Sequence, residues 1–454
     1  MPFDREPPAS DLRAAALAHG DETVSFQTLE PHLARRADDG PDGTGAVVAF
    51  ADTAGGWVAA GSPLVARERR ADAASRFAEA ARRAGRRASF FAVERPGELG
   101  GLRALEIGAQ PVFDPAAWAD RLRQFRRLRE QIRRAGAKGV AVRRVAPDEL
   151  APGLPLRAEV DALAARWLAD RHMAAMRFLV ALELHVEPDQ HRYFAAERGG
   201  HLVAFLSLVP VPARGGWLFE DLVRAPDAPN GTSELLIDAA MRDLAAAGAR
   251  RATFGLAPLA GGAPAWARAL GWIGRPLYDF RGIRAFKERL HPQSWEPVYL
   301  AHGRGAAALH VLDALRAFAG GSLVRFGWRT LIDHPSGLPL SLALPLVPWT
   351  ALLAVLLALG RSALLGFAPL ELAGWILFDA VLAVGLLRAA RRPRRRILRL
   401  LCLAAAVDAA LSIAHLAAVG PGDGLLAAAL RALATAAPVG GTLALVLAAA
   451  RARA

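Results

Sequence analysis

The alternation of apolar and polar positions is most regular over residues 217–259, WLFEDLVRAPDAPNGTSELLIDAAMRDLAAAGARRATFGLAPL, where it predicts strand, tight loop, helix, strand. Trp217 to Val223 is apolar apart from Glu220 and Asp221, and the strand closes on D-L-V-R. Asp221 and Arg224 are therefore opposite charges three positions apart, able either to reach one pocket mouth or simply to pair with each other. The loop APDAPNG contains the chain's single asparagine, Asn230, followed by Gly231, the dipeptide best suited to positive φ. Thr232 and Ser233 are expected to cap a helix, with Glu234 in its first turn. Leu235, Leu236, Ala239, Ala240 and Leu244 recur at helical spacing, and Gly248 ends the run. The polar residues fall in the turns, where chemistry usually sits.

The rest of the chain repeats this order. Residues 1–42 form an N-terminal segment with two helical patterns, Asp11 to Ala18 and Phe26 to Ala34, and end in the linker ADDGPDGTG. Residues 46–65 read as a hairpin turning at Gly55-Gly56, followed by a helix (71–84) and a strand (89–93). Further on, 192–211 read as a hairpin turning at Gly199-Gly200, then the strand through Asp221, the helix and the strand ATFGL. The segments AGRRASFFAV (84–93) and AGARRATFGL (247–256) also resemble each other. Two α/β modules of one type are expected, at 43–140 and 141–305. Within 122–136, LRQFRRLREQIRRAG, Leu122, Phe125, Leu128 and Ile132 form an apolar stripe. The Arg-rich outer face is either solvated or a nucleic-acid contact.

Beyond a juxtamembrane linker at 306–336, the pattern loses its polar positions. Four apolar segments, near 338–360, 363–387, 397–419 and 424–450, each approach or exceed the ~20 residues that cross a bilayer. The first carries Pro339, Pro345 and Pro348, and a kink is expected there. The loop RAARRPRRRILR between the second and third holds seven Arg, while its neighbours hold almost none. The positive-inside rule then places that loop, residues 1–337 and the C-terminus in the cytoplasm. Glu371, Asp379, Asp408 and His415 lie in or near the spans and are read either as functional or as pairing between helices.

A formal charge of +13 fits anionic head groups, RNA or both. Of 56 basic residues only Lys138 and Lys287 are lysine. A retained lysine is a candidate for work that needs an amine whose pKa can move, the plain alternative being a tolerant surface position. Cys402 is the single cysteine, which excludes disulfides and thiolate metal sites within one chain. The polar start MPFDREPPASD shows no signal-peptide pattern. His172, His185, His191, His201 and His291 lack ligand spacing and are read as structural, so no metal is expected. There is no P-loop, HExxH or GxSxG.

The strand-loop-helix-strand order resembles the GNAT-type acyltransferase core, in which the loop before the helix holds the pyrophosphate of coenzyme A. Here that loop carries Asp227 and its neighbours in APDAPNGTSE instead of a Gly-rich Arg/Gln-led form, which argues against an acyl-CoA donor; no cofactor is expected. More specifically, DLVRAPDAPNGTSELL, FGLAPL and FRGIRAFKERLHPQSWEPVYLA resemble the signatures of the catalytic domain of phosphatidylglycerol lysyltransferases, the multiple peptide resistance factor family. The resemblance covers about residues 19–301 and is strongest over 217–301. It implies tandem GNAT-like modules, here followed by an all-α bundle of four membrane helices, and transfer of an amino acid from aminoacyl-tRNA to the hydroxyl of phosphatidylglycerol or another membrane lipid. Asp221 would accept or orient the proton, or hold the α-ammonium; Arg224 would bind a phosphate. Lys287 would hold a second phosphate or the developing oxyanion, and Glu288 would orient Lys287 or bind the amino acid. Asn230, Gly231, Gly255, Pro258, Arg284 and Trp295 lie in the matching motifs and are assigned to substrate binding, with packing the plain alternative for Trp295. Two departures accompany the resemblance. Well-known members carry a large membrane domain with a flippase before the catalytic domain, so flipping is not expected of this chain, and a separate flippase or a homo-oligomer remains open as a partner. Residues 166–190 match loosely, and that region is expected to shape the substrate pocket.

Overall fold

The computed structural model describes residues 3, 5–38, 45–171, 174–259, 262, 264, 280–333, 337–391, 395–420 and 425–451. The chain divides into two compact units, one of residues 1–170 and 175–323, the other of residues 171–174 and 324–454.

The first unit is built on one twelve-stranded mixed sheet of GNAT-like type, in the order β1-β2-β3-β4-β12-β5-β10-β9-β8-β7-β6, with β11 beside β5. Strands β1 (Ala34–Asp38), β2 (Ala46–Asp52), β3 (Gly56–Ala60), β4 (Arg87–Val93) and β5 (Arg103–Phe113) come from the first part of the chain. The second part supplies β6 (Val140–Val145), β7 (Arg192–Arg198), β8 (His201–Val211), β9 (Gly216–Arg224), β10 (Arg251–Thr253), β11 (Ala257–Pro258) and β12 (Ser294–His302). β12 inserts between β4 and β5, so the two halves share one continuous sheet.

The repeat expected from the sequence is visible in the register. β2 and β3 are antiparallel, helix α2 (Arg70–Arg83) crosses over, and β4 returns parallel to β3 with Gly56 opposite Arg87 and Trp57 opposite Ala88. In the same way β8 and β9 are antiparallel, helix α6 (Thr232–Ala246) crosses over, and β10 returns parallel to β9 with Gly216 opposite Arg251 and Trp217 opposite Ala252. Each parallel pair thus starts on Gly-Trp against Arg-Ala, a signal finer than the ten-residue similarity. Hairpin β7–β8 turns through Gly199 (φ 59°) and Gly200 (φ 79°), the double positive φ that only a Gly-rich turn adopts without strain.

Helices cover both faces of the sheet, among them α1 (Ala9–His19) through Leu12 and Ala16 and α8 (Ala307–Phe318) through Ala314 and Ala317. α6 packs with α3 (Trp118–Gln124) and α4 (Arg126–Ala137) over a core that includes Phe113, Phe194, Leu206, Leu236 and Met241. α5 (Pro155–Ala169) covers the opposite face, its Val160 and Leu163 joining one core with Tyr193 of β7. The expected helix at 122–136 is broken at Phe125 into α3 and α4, yet Leu122, Phe125, Leu128 and Ile132 all join this one core. Two other expectations are corrected. Phe26 to Leu29 is a single 3-10 turn and Ala34 begins a strand, because Pro31 has no N–H to continue a helix. Thr232 and Ser233 do not cap α6: its cap residue is Gly231, and the Thr232 hydroxyl donates to the Pro229 carbonyl at 2.7 Å.

Gly231 has φ 95°, and a Cβ there would lie 2.2 Å from the Gln131 carbonyl oxygen of α4. Gly231→Ala is therefore expected to destabilise the unit by about 1–3 kcal/mol through backbone strain alone, with more from the clash. A thermal melt of the purified variant checks this.

The second unit consists of helices. α10 (Gly337–Ala358) contains Pro345 and Pro348, and α11 (Pro369–Arg391), α12 (Arg395–Val419) and α13 (Leu425–Arg451) follow. Three stretches among the described residues are long and apolar enough to cross a membrane: Pro339–Ala358, Pro369–Ala390 and Arg396–Val419. The expected count of four is not carried over. The fourth apolar segment is helical, and Arg431 in it bonds the carbonyls of Leu364, Val419 and Gly420. Three of the four charged positions flagged in the spans have local partners: the Glu371 carboxylate accepts from the Ala368 N–H, Asp408 accepts from the Ser412 hydroxyl at 3.4 Å, and His415 stacks on Phe367 at 3.9 Å.

Candidate functional site

The cleft arises from a split between parallel neighbours. β10 pairs with β9 only from Gly216 to Leu218. After Thr253 the chain turns at Gly255 (φ 64°) and pairs instead with β5, Ala257 opposite Ala109 and Pro258 opposite Gly108. Phe219 to Arg224 is left without a strand partner on that side among the described residues, so an opening lies between β9 and the 254–258 segment. A carbon added at Gly255 would still touch Leu218, at 3.4 Å, which marks where the two walls part.

One wall is acidic. Ser207 of β8 faces Asp221 while Leu208 faces Phe219, so Glu220 is the extra residue of a β-bulge. The bulge lets two consecutive carboxylates address the same space, which Glu30 and Glu183 also enter. Burial, and then the charges of Glu220, Asp221 and Glu183, push Glu30 up to about 10. Burial, then Glu220 and Glu183, hold Asp221 well above the usual carboxylate range. His32 Nε2 lies 3.4 Å from Glu30 and its Nδ1 3.7 Å from Glu183, but burial lowers the His32 pKa and favours the neutral ring. His191 Nε2 stands 3.5 Å from Glu220. No Arg or Lys pairs with these four acids among the described residues. Asp221 Oδ2, Glu30 Oε2 and Ser207 Oγ are shut off from solvent without a hydrogen-bond partner. A carboxylate cluster that is buried at Glu30 and opens to solvent at Glu183, with orphaned oxygens, is suited to an incoming cation, which would replace the missing counter-charge.

The other wall is helix α7 (Phe280–Arg289) with the 254–258 segment. Lys287 is 8% exposed, and its Nζ donates to the carbonyls of Gly255 (2.9 Å) and Leu256 (2.8 Å). Burial brings its pKa down to about 7. At neutral pH this amine exists in both forms, and a third direction on Nζ remains after its two carbonyl bonds. The expected pairing of Glu288 with Lys287 is not made: Glu288 pairs with Arg284 at 2.7 Å on the exposed side of α7. Arg284 lies 5.9 Å over the ring of Trp295, which packs on Ala109 and Ala257.

The remaining sequence-derived residues hold the loop before α6. Arg224 donates to the Ala228 carbonyl at 3.1 Å, so it braces the loop and forms no ion pair with Asp221. Asn230 is exposed at the tip and Gly231 abuts α4. The structure therefore gathers Lys287, Gly255, Pro258, Arg284, Glu288 and Trp295 around α7, and Arg224, Asn230 and Gly231 around the loop. Asp221 belongs to the acidic wall with Glu30, His32, Glu183, His191, Ser207 and Glu220. Of that wall only Asp221 had been assigned to the site from sequence. Glu220 stands beside it in the motif and Glu183 lies in the stretch expected to shape the pocket, whereas Glu30 and His32 carry no local signal.

The equivalent opening in the first repeat is filled. Glu22 occupies it with every oxygen engaged: Oε2 accepts from the Ser62 N–H (2.7 Å), and Oε1 from the Ser62 hydroxyl (2.9 Å) and the Glu94 N–H (3.1 Å). One repeat is thus plugged by a satisfied carboxylate, and the other presents unsatisfied ones. A groove of about 490 Å³, lined by Leu168, Leu182, Leu184 and Val186 among others, runs between α5 and residues 182–186 and includes Glu183. Arg157, Asp161 and His185 also line it, so an open groove of mixed lining reaches the acidic wall at Glu183.

The sequence profile described as "Phosphatidylglycerol lysyltransferase, C-terminal" matches residues 40–302. A lysylphosphatidylglycerol biosynthesis bifunctional protein LysX from Mycolicibacterium gilvum is 35% identical over 146 residues, covering 30% of this chain and 12% of that protein. The chain thus matches only a small part of that curated relative. A crystal structure from Agrobacterium fabrum, described as the C-terminal domain of an assigned lysylphosphatidylglycerol synthetase, is 25% identical with a TM-score of 0.59 over 70% of this chain and 99% of that one. L-PGS from Bacillus licheniformis shares the fold at 20% identity and TM-score 0.59, over 73% of this chain and 100% of that one. The profile spans more than half of the sequence, and the chain belongs to the phosphatidylglycerol lysyltransferase C-terminal family.

Proposed function

We propose that the protein transfers lysine from lysyl-tRNA to the head-group hydroxyl of phosphatidylglycerol at the cytoplasmic face of the membrane, in the cleft of the second repeat. The observation that carries this reading is the buried acidic wall with orphaned oxygens. A lysyl ester brings two ammonium groups, and the cluster of Glu30, Glu183, Glu220 and Asp221 supplies the negative charge they need. Burial and the neighbouring acids raise the Glu30 and Asp221 carboxyls, and an arriving cation favours their ionised forms.

In the proposed reaction the terminal hydroxyl of phosphatidylglycerol attacks the ester carbonyl carbon of aminoacyl-tRNA. The new carbon–oxygen bond forms as the bond to the tRNA ribose oxygen breaks. Lys287 as free amine takes the hydroxyl proton, faces the developing oxyanion as ammonium, and returns the proton to the departing ribose oxygen. Its pKa near 7 suits both halves of this cycle. Arg224 keeps the role of phosphate contact, from the loop that it braces.

The tRNA is assigned to the basic face of α4. Arg126, Arg127 and Arg129 are exposed and form no ion pair among the described residues, whereas Arg133 and Arg134 share Glu130. Arg121 donates to the His291 and Pro292 carbonyls, and Phe125 stacks on His291 at 3.6 Å, just beyond α7. Gln131 of α4 meets Gly231. The basic face is therefore fixed to both the Lys287 helix and the loop. Changing Arg126, Arg127 and Arg129 to Glu together is expected to raise KM for lysyl-tRNA with kcat nearly unchanged, and to reduce the slope of log KM against log salt by about 2–3. Steady-state kinetics at several salt concentrations check this.

For the topology, the seven Arg gathered where the second apolar helix ends and the third begins support a multi-pass arrangement with residues 1–337 cytoplasmic; a cytoplasmic C-terminus requires in addition that the helix Leu425–Arg451 crosses. The whole reading is tested by expressing the protein in a host without aminoacylated lipids and resolving the extracted lipids. A new ninhydrin-positive phosphatidylglycerol derivative that releases lysine on mild alkaline hydrolysis is expected. Release of another amino acid would overturn the lysine assignment, and no new lipid would overturn the transfer.

A further inference from the structure

Helix α9 (Leu323–Asp333) carries three different stripes at four-residue spacing. Phe326 and Thr330 face inward, Thr330 being 2% exposed and accepting the Ala174 N–H through its hydroxyl at 3.1 Å. Val324 and Trp328 face outward, 84% and 64% exposed. Arg325 and Arg329, both exposed, lie between these stripes. At about 100° per residue the Val324–Trp328 stripe stands nearly opposite the buried one, with the arginines on its flank. A free surface in water gains nothing from a largely exposed Trp and Val side by side.

What covers this face is set by the chain that follows. Three residues separate α9 from α10, so even a fully extended connection keeps the end of α9 within about 14 Å of the first apolar helix. That helix holds the first candidate span, beginning at Pro339. At 11 residues α9 is about 16 Å long, half of what crosses a bilayer. Although it is apolar enough to form one bent span with Ala307–Phe318, that helix packs Ala314 and Ala317 into the sheet core beside Phe91 and Leu300 and pairs Asp313 with Arg87, which argues against a crossing. An apolar stripe with Trp, flanked by Arg and tethered at the bilayer boundary, has the makeup of a helix lying in the lipid interface.

We infer that α9 is an interfacial helix, with Val324 and Trp328 inserted among the acyl-chain ends and Arg325 and Arg329 on anionic phosphates. The occupant of this face is the bilayer surface rather than a second protein. The stripe reaches about 5–10 Å below the head groups, as amphipathic interfacial helices do. The arginines make the contact stronger on phosphatidylglycerol than on a zwitterionic lipid.

The test uses the full chain with Cys402→Ser, reconstituted in vesicles of phosphatidylcholine with or without phosphatidylglycerol. An environment-sensitive fluorophore is attached through Val324→Cys or Trp328→Cys, and through Arg82→Cys as a control on an exposed surface of α2. The 324 and 328 labels are expected to shift to the blue, to resist aqueous iodide and to be quenched by lipid nitroxides, more by a shallow nitroxide than by a deep one. Adding phosphatidylglycerol should increase the lipid quenching, and Arg325→Glu with Arg329→Glu should remove that increase. The control label should be quenched by iodide alone. Iodide quenching of the 324 and 328 labels equal to the control would overturn the inference. Iodide protection without nitroxide quenching, together with excimer emission from pyrene placed at 324, would also overturn it by showing a second copy on this face.

Discussion

Replacing Lys287 with alanine is expected to lower kcat for lysyl transfer by about 10²–10⁴, the usual contribution of a positioned proton-transfer group. Lys287→Arg should not rescue it. A guanidinium keeps its charge at all accessible pH and can hold an oxyanion, but it cannot take a proton from the attacking hydroxyl. The sign of the pH dependence follows from the lowered pKa. The amine is protonated and inactive as a base below about 7 and free above it, so kcat/KM of the wild type should rise through pH 7 and then level off. The Lys287→Arg profile should lack that rise. A flat wild-type profile between pH 6 and 8 would reduce Lys287 to a buried donor for the Gly255 and Leu256 carbonyls.

Glu30→Gln is expected to make the protein more stable and less active at once. The Glu30 carboxyl sits near 10 in the folded chain against about 4.5 when exposed. A carboxylate raised in this way binds its proton more tightly folded than unfolded, so its stability contribution is full at low pH and is lost as pH rises from about 4.5 toward 10. Around pH 8 the group is a burden, and an isosteric amide should recover roughly 1–3 kcal/mol. It should also flatten the fall in melting temperature between pH 5 and 9. The same change removes one charge from the acidic wall, so KM for lysyl-tRNA should rise by about tenfold or more, one charge-assisted contact being worth at least 1.5 kcal/mol. Asp221→Asn should behave alike, while Glu288→Gln, whose carboxylate pairs with Arg284 at the surface, should change neither quantity much. Melting curves over pH combined with kinetics separate these outcomes, and a destabilised Glu30→Gln protein would count against the buried-cluster account.

Much of the scaffold was legible because it rests on short-range signals. Gly199-Gly200, Asn230-Gly231 and Gly248 fixed turns, and the apolar stripe Leu122, Phe125, Leu128 and Ile132 located a core face even though the helix carrying it breaks at Phe125. Errors arose where one residue overruled a pattern, as when Pro31 ended a helical period after a single turn. The site was legible only in part. Asp221 and Lys287 stood out through their motif and through the rarity of lysine, and both are buried groups with displaced pKa values. The partners of Asp221 did not stand out. Glu30 arrives from nearly two hundred residues earlier in the chain, and Glu220 joins the wall only because a bulge breaks the alternation by which neighbouring strand residues face opposite ways. The Glu22 plug that separates the closed repeat from the open one depends on hydrogen bonds to residues 62 and 94, beyond any local spacing.

The central claim is tested most directly with the purified full chain, phosphatidylglycerol vesicles and tRNA charged with radiolabelled lysine. Label should move into a lipid that co-migrates with lysyl-phosphatidylglycerol, at a rate that falls by orders of magnitude for Lys287→Ala. Label that stays on the tRNA with the wild-type protein, or that reaches the lipid equally fast with Lys287→Ala, would contradict the account.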